Sequence, residues 1–212
     1  MRIVDLTRPI EPGMTVYPGD PEVRFHAHSG YAEHGFRVTG LGMGTHAGTH
    51  LDAPAHFLPG GATVDVLSLE KLVGSARVID PDDPTTSFTA GERVLIRSGW
   101  GSRWGQPGYF TEFTGMTAEL AERLAAAPVD LVGLETPTLH PQWEEDARLH
   151  RLLLERGIIL VENLANLDAL PERFGLAALP LPLQGLDGSP CRVVAFVAAD
   201  DETSNWQFSE TG

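Results

Sequence analysis

The sequence predicts an α/β fold, a single strand-rich domain with a few helices. Hydrophobic residues make up 42% of the 212 residues, which is enough to bury one core. Short apolar runs of strand length recur along the chain and end at glycine or proline turns. Two longer segments have the length and composition of helices. Because no linker or internal repeat divides the chain, we expect one domain to extend over residues 1–212.

The first half of the chain predicts strands joined by turns. Asp5, Leu6 and Thr7 begin an extended segment, and prolines from Pro9 to Pro21 punctuate it as turns. Apolar or alternating runs predict four strands, at residues 22–27, 36–41, 76–80 and 93–97. The aromatic segment that follows has the composition of a surface loop, a common location for substrate contacts.

The second half predicts two helices alternating with strands. Thr117 can cap a helix over residues 118–127, whose first turn carries Glu119 near the positive end of the helix dipole. A second helix over residues 144–156 ends at Gly157. Four extended segments complete the set, at residues 129–134, 158–161, 180–183 and 192–198.

The charge of the chain excludes some classes of protein. The formal net charge is −14, whereas nucleic-acid binding and attachment to an anionic membrane need a positive surface. No apolar run has the length of a membrane span, and the first residues lack the apolar stretch of a secretory signal, so we expect a cytoplasmic protein. The single cysteine, Cys191, precedes an apolar run and is expected to be a buried structural thiol.

A histidine-rich segment carries the strongest chemical signal. Three of the 8 histidines, His46, His50 and His56, fall close together with Asp52. Imidazole and carboxylate groups are the usual protein ligands of zinc and similar ions. His50 and Asp52 would face the same side of a strand, and Gly48 would allow the chain to bend and return His46 to them. The segment favours a metal site, although one such histidine alone is usually a packed or surface residue.

A second cluster lies far along the chain. His150 is at the edge of the apolar stripe of the second predicted helix, and Glu162 follows the apolar strand at residues 158–161. Burying a carboxylate beside such a strand is costly unless a cation or a hydrogen-bond donor meets it. A helix packed antiparallel on its following strand can bring both side chains to one end of the layer. Taken alone, the two residues are better explained as a helix-surface histidine and a solvated strand-end charge.

The histidine-rich segment resembles the signature of the cyclase family of metal-dependent hydrolases, which includes bacterial kynurenine formamidases and isatin hydrolases. The family pattern His-x-Gly-Thr-His-x-Asp-x-Pro-x-His-Phe is met at every fixed position from His46 to Phe57. Further similar segments extend the resemblance over nearly the whole chain, at residues 5–7, 17–20, 132–137, 150 and 162–164.

The resemblance implies a set of site residues and a cofactor. The metal ligands would be His46, His50, Asp52, His150 and Glu162. The first three would hold one ion, the last three a second, and Asp52 and Glu162 would bridge the two. His56 would be the catalytic acid and base. The ions would be zinc or manganese, one or two per chain, in a swivelling β/β/α domain that assembles as a homodimer or larger oligomer.

These features predict an enzyme that hydrolyses a small amide, such as an arylformamide. A bound zinc ion can lower the pKa of water from 15.7 to about 7 and so supply hydroxide, and His56 would carry the proton to the leaving group. Tyr17, Phe57 and Trp100 would contact the small-molecule substrate. One alternative is a ring-opening hydrolase for an isatin-like imide or a lactone. Another is a metal-binding protein without turnover, which the presence of His56 beyond the ligands disfavours.

Overall fold

Strands dominate the computed structural model, which describes residues 1–83, 86–127 and 129–198. Ten strands lie in these ranges: β1 (Arg2–Asp5), β2 (Arg24–Ser29), β3 (Val38–Gly42), β4 (His50–Asp52), β5 (Val73–Ile79), β6 (Arg93–Ile96), β7 (Leu131–Leu134), β8 (Ile159–Glu162), β9 (Arg173–Pro180) and β10 (Gly188–Val197). The same ranges contain four α-helices: α1 (Tyr31–His34), α2 (Leu69–Leu72), α3 (Ala118–Ala126) and α4 (Trp143–Leu154). The predicted strand-rich α/β fold is confirmed.

Eight of these strands form one sheet that closes on itself. The order is β1-β10-β4-β8-β7-β6-β5-β9, and β9 also pairs with β10. Neighbours from β5 to β8 are parallel, whereas the pairings made by β4, β9 and β10 are antiparallel. Strand β4 lies inside this order and has a partner on each side, so its short segment is held between β10 and β8. Strands β2 and β3 form a separate two-stranded sheet.

The two longer helices begin and end at the residue types that favour these positions. The backbone N–H of Leu120 donates to the hydroxyl oxygen of Thr117 at 3.2 Å, which makes Thr117 the N-cap of α3 as predicted. Gly157 follows α4 with a φ of 70°, a left-handed conformation that suits glycine. None of the helices in the described ranges has the length and apolarity of a membrane span.

Two apolar clusters cover the two faces of the barrel wall. Leu51 of β4 and Val161 of β8 belong to the cluster inside the barrel. Leu160 belongs to the cluster on the outer face, together with Leu149 and Leu153 of α4. Since strand side chains alternate, β8 is buried on both faces, as its continuous apolar run predicts.

One predicted segment was wrong, and one strand was missed. Of residues 180–183, only Pro180 belongs to a strand, because two prolines in that stretch lack the N–H groups that a ladder needs. The preceding strand β9 was missed because it contains Gly175, Ala177 and Ala178, which have low strand propensity. The other predicted strands and helices occur with shifted ends. The predicted domain end at residue 212 lies outside the described residues.

Candidate metal centre

Strand pairing brings three of the candidate ligands together. His50 in β4 lies directly opposite Glu162 in β8, and Asp52 follows two residues after His50. The paired residues Leu51 and Val161 face the barrel interior. Because side chains alternate along a strand, His50, Asp52 and Glu162 share the outer face. All three are buried, with exposed fractions of 3%, 1% and 4%.

Helix α4 covers that outer face and supplies His150. Leu149 of this helix belongs to the same apolar cluster as Leu160 of β8. His150 is 1% exposed, and its Nε2 lies 3.4 Å from Glu162 Oε1 and 3.6 Å from Asp52 Oδ2. The two clusters that are distant in sequence therefore meet at one point.

A bend at Gly48 returns His46 to the same point. Gly48 has a φ of 66°, in the left-handed region that favours glycine, and an added Cβ would lie 3.2 Å from the Met14 side chain. His46 Nδ1 then lies 2.8 Å from Asp52 Oδ1. The bend that the sequence predicted is thus present, and it brings the fifth candidate ligand to the centre.

Backbone carbonyls fix which ring nitrogen of two histidines faces the centre. Nδ1 of His50 lies 2.9 Å from the carbonyl oxygen of Gly48, and Nδ1 of His150 lies 2.9 Å from that of Asp146. A carbonyl oxygen only accepts, so each Nδ1 carries the hydrogen and donates it. In the neutral rings, Nε2 therefore presents a lone pair to the carboxylates. Lone pairs and carboxylate oxygens repel one another unless a cation lies between them.

The distances between these atoms fit a shared cation. His50 Nε2 lies 3.3 Å from Asp52 Oδ1 and 3.4 Å from Glu162 Oε2, beyond the usual range of an N–H···O bond. Atoms that bind one tetrahedral ion at about 2.0–2.1 Å lie roughly 3.3 Å apart. Among the described residues, no hydrogen-bond donor reaches Asp52 Oδ2 or Glu162 Oε1, although both atoms are buried. Since buried carboxylate oxygens need a partner, the residues fit a metal ion.

Each carboxylate divides its oxygens between two groups of histidines. Asp52 Oδ1 faces His46 and His50, whereas Oδ2 faces His150. Glu162 Oε2 faces His50, whereas Oε1 faces His150. Two cations could therefore share both carboxylates, as the family resemblance implies.

The carboxylates change the acidity of the ligand histidines. Burial alone would lower the pKa of His50, but where no cation offsets their charge, the nearby carboxylates of Asp52 and Glu162 raise it to about 10. Burial also opposes the charged form of His46, whereas Asp187 and Asp52 raise its pKa to about 9. The centre therefore stabilises positive charge at the position where these side chains meet.

His56 lies beside the ligands and near a carboxylate that sequence analysis missed. Its ring stacks on His46 with centroids 4.0 Å apart, and its side chain remains 30% exposed. Nδ1 of His56 lies 3.4 Å from Oδ2 of Asp187, which also accepts a hydrogen bond from His46 Nε2 at 2.9 Å. Burial lowers the pKa of His56, so its imidazole is neutral near pH 7. Asp187 directly precedes β10. A carboxylate next to the end of a strand was the sequence feature that identified Glu162, and the same feature could have identified Asp187.

A buried hydrogen-bond chain supports the loop that carries His46 and His50, and the sequence analysis missed it as well. The hydroxyl of Tyr109 donates to Asn163 Oδ1 at 2.8 Å. Asn163 has a φ of 58°, and its Nδ2 donates to the carbonyl oxygen of Gly48 at 3.0 Å. That carbonyl also accepts from His50, so Tyr109 and Asn163 help to fix the His50 ring.

A cavity of about 250 Å³ opens onto the centre. Its wall includes all the candidate ligands except Asp52, together with His56 and five aromatic residues: Tyr17, Phe57, Trp104, Phe110 and Trp143. Tyr17 and Phe57, two of the three predicted substrate contacts, therefore line the cavity. Trp100 is placed differently, because its indole N–H donates to the carbonyl oxygen of Tyr109 at 3.0 Å and its ring does not line the cavity. Trp104 from the same loop lines it instead.

Histidine and carboxylate side chains that can hold a metal ion, with a neutral histidine beside them at a cavity, fit a metal-dependent hydrolase. Comparison with known proteins agrees. The family model described as putative cyclase matches residues 4–90 and 82–141. The chain belongs to this cyclase family, which confirms the resemblance drawn from the sequence.

Relatives and solved structures extend the comparison over most of the chain. The kynurenine formamidase of Salinibacter ruber is 32% identical over 216 residues, covering 94% of this chain and 100% of the relative. That of Geobacillus thermodenitrificans is 33% identical over 200 residues, covering 89% and 94%. An isatin hydrolase bound to the product analogue thioisatinate superposes with a TM-score of 0.80 at 26% identity, covering 93% and 92%. Isatin hydrolase A from Labrenzia aggregata gives 0.80 at 28% identity, covering 93% and 94%.

Proposed function

We propose that the protein hydrolyses the C–N bond of a small aromatic amide, with an arylformamide as the first candidate substrate. The observation that carries this proposal is the meeting of three histidines and two carboxylates beside a cavity that also contains a neutral histidine. The named activities of the relatives, kynurenine formamidase and isatin hydrolase, both support a hydrolase for an amide bond.

The proposed ligands are His46, His50, Asp52, His150 and Glu162, and the proposed metal is zinc or manganese. Imidazole and carboxylate donors suit both ions. When bound, such an ion polarises the amide carbonyl and activates water at neutral pH. Within this chain, the two shared carboxylates hold the ligand histidines in position, and the carbonyl oxygens of Gly48 and Asp146 fix their ring orientation.

His56 is the proposed acid and base. Its lowered pKa leaves the ring able to accept a proton near pH 7. With Nδ1 directed to Asp187, the other ring nitrogen is available to take a proton from water and return it to the leaving nitrogen. The amine then departs as a neutral group, which is a better leaving group than the amide anion.

The aromatic wall is the proposed binding surface for a flat substrate. Phe57 stacks on His150 with centroids 4.2 Å apart, so a ring bound beside it lies close to the ligands. Tyr17 packs edge-on against Phe110 at 5.7 Å, which forms another side of the wall. Cytoplasmic location and assembly as a homodimer or larger oligomer are further proposals, which rest on the sequence features and the family resemblance.

A ring-opening hydrolase is the second candidate. The isatin hydrolase structures are the observation that favours it, since both superpose with a TM-score of 0.80. Such an enzyme would open the ring amide of an isatin-like compound or the ring ester of a lactone by the same chemistry.

The test combines metal analysis with a substrate panel. Elemental analysis of the purified protein gives the metal and its stoichiometry, and the metal-loaded protein is then assayed with N-formylkynurenine, formanilide, isatin and a simple lactone. Amide hydrolysis that is lost with a chelator and restored by zinc or manganese supports the proposal. Tight metal binding without hydrolysis of any compound would support the metal-binding protein without turnover.

A further inference from the structure

We propose that the substrate of this cavity is an aromatic amide that carries no carboxylate or other anionic group. The inference rests on the proposed amide hydrolysis and deepens it, because it concerns the far end of the same cavity, away from the candidate ligands. Away from the candidate ligands, the wall includes the five aromatic residues named above, and its carboxylates are Asp20 at the Tyr17 turn and Asp146 of α4.

Among the described residues, neither a lysine nor an arginine lines this cavity. The residues outside the description, 84, 85, 128 and 199–212, contain no lysine or arginine in the sequence. A substrate anion at the far end would therefore find no counter-ion from this chain, and its desolvation would be uncompensated.

Two arginines contact wall residues without lining the cavity. The guanidinium of Arg8 lies 5.3 Å from the ring centre of Trp104, and it donates to the carbonyl oxygens of Gly101 and Leu164. The guanidinium of Arg151 lies 5.9 Å from the ring centre of Phe57. Both cations stabilise the aromatic wall, and Arg8 is already engaged by backbone acceptors.

Acidic groups also make the potential of the cavity negative. Burial raises the pKa of Tyr17, and the carboxylates of Asp146, Glu162 and Asp20 raise it further. Metal ions would offset Glu162, but Asp20 is not among the candidate ligands, so no bound metal ion would offset its carboxylate. The net charge of −14 adds a long-range field that repels anions and attracts cations. The wall therefore favours neutral or positively charged aromatic groups.

The test uses three formanilides that differ in one substituent. The metal-loaded full chain is assayed with formanilide, 3-(aminomethyl)formanilide and 3-carboxyformanilide. We expect kcat/KM for the carboxylate to be at least about tenfold below that for the ammonium compound, since attraction and repulsion by one charge at about 6 Å differ by roughly 1.4 kcal/mol even at the dielectric constant of water. Asp20→Asn should bring the kcat/KM values of the two charged compounds closer together, whereas the exposed control Glu172→Gln should leave their ratio unchanged. The ratio is independent of any general loss of activity in the variant.

Other outcomes decide the inference separately from the proposed function. A kcat/KM for the carboxylate equal to or above that for the ammonium compound overturns the inference, while the proposed amide hydrolysis stands. Loss of the preference for the carboxylate in Arg151→Ala would then identify Arg151 as its counter-ion. Hydrolysis of none of the three contradicts the proposed function. Calorimetric binding of aniline, 3-(aminomethyl)aniline and 3-aminobenzoate then tests the inference alone. Weaker binding of the benzoate supports it, and tighter binding overturns it.

Discussion

His50 and Glu162 are directly opposite residues on two antiparallel strands, and the histidine Nε2 lies 3.4 Å from the glutamate Oε2. The backbone ladder between β4 and β8 therefore sets the spacing of these two candidate ligands. A shift of one residue in this register would turn His50 and Asp52 toward the barrel interior. The geometry of the metal centre is thus a property of strand pairing, to which α4 adds His150.

Replacing Glu162 with glutamine should weaken metal binding by more than about 100-fold, since it removes a shared carboxylate. In the unchanged protein, metal should also raise the melting temperature, because it binds the folded state. This increase should be largely lost in Glu162→Gln. Elemental analysis after dialysis and thermal melts with and without metal measure both effects. Glu155→Gln, an exposed residue after α4, is the matched control. Full metal occupancy in Glu162→Gln would contradict its role as a ligand.

Replacing His56 with alanine should leave metal content unchanged and lower turnover by about 10²–10⁴-fold, the usual contribution of a general acid or base. Metal content and kcat are measured on the same preparation. His34→Ala alters an exposed histidine of α1 and should affect neither quantity. If turnover in His56→Ala equals that of the unchanged protein, His56 takes no part in the reaction.

Asp187→Asn should lower metal affinity by about 10–100-fold, because it weakens the hydrogen bond that orients His46. Nε2 of His46 would lose its charged acceptor, so Nδ1 would be held less firmly toward Asp52. Competition with a metal chelator measures the affinity, and Glu172→Gln serves as the exposed control. An unchanged metal affinity would show that Asp187 does not orient His46 for metal binding.

Tyr109→Phe should reduce the free energy of unfolding by about 1–3 kcal/mol, the cost of leaving a buried acceptor unpaired. Tyr109 is 1% exposed, and its hydroxyl donates to Asn163. Urea denaturation measures the change. Tyr31→Phe removes a hydroxyl from a residue that is 73% exposed and should change stability little. Equal stability of both variants would show that Asn163 finds another donor.

Cys191 should not react with a thiol reagent in the folded protein. The residue is 6% exposed, and burial raises the pKa of its thiol well above the ordinary value, so the reactive thiolate is scarce. One equivalent of thiol should react after denaturation, since the chain has one cysteine. A rapid reaction under native conditions would show that β10 opens locally.

Local sequence patterns predicted the structural features that depend on a few neighbouring residues. The alternation of strand side chains brought His50 and Asp52 to one face, and Gly48 marked the bend that returns His46. Asp187 was missed because its contact with His46 joins residues 141 positions apart, which no local period records. Tyr109 was missed for the same reason, since its partner Asn163 lies 54 positions away.

The closed ring of strands has a consequence for local motion. Strand β4 has only three residues, yet β10 and β8 satisfy its backbone on both sides. We therefore expect the amide hydrogen of Leu51 to exchange with solvent mainly when the barrel opens as a whole. Its exchange rate would report the global unfolding equilibrium, so the shortest strand of the sheet would be among the slowest to exchange.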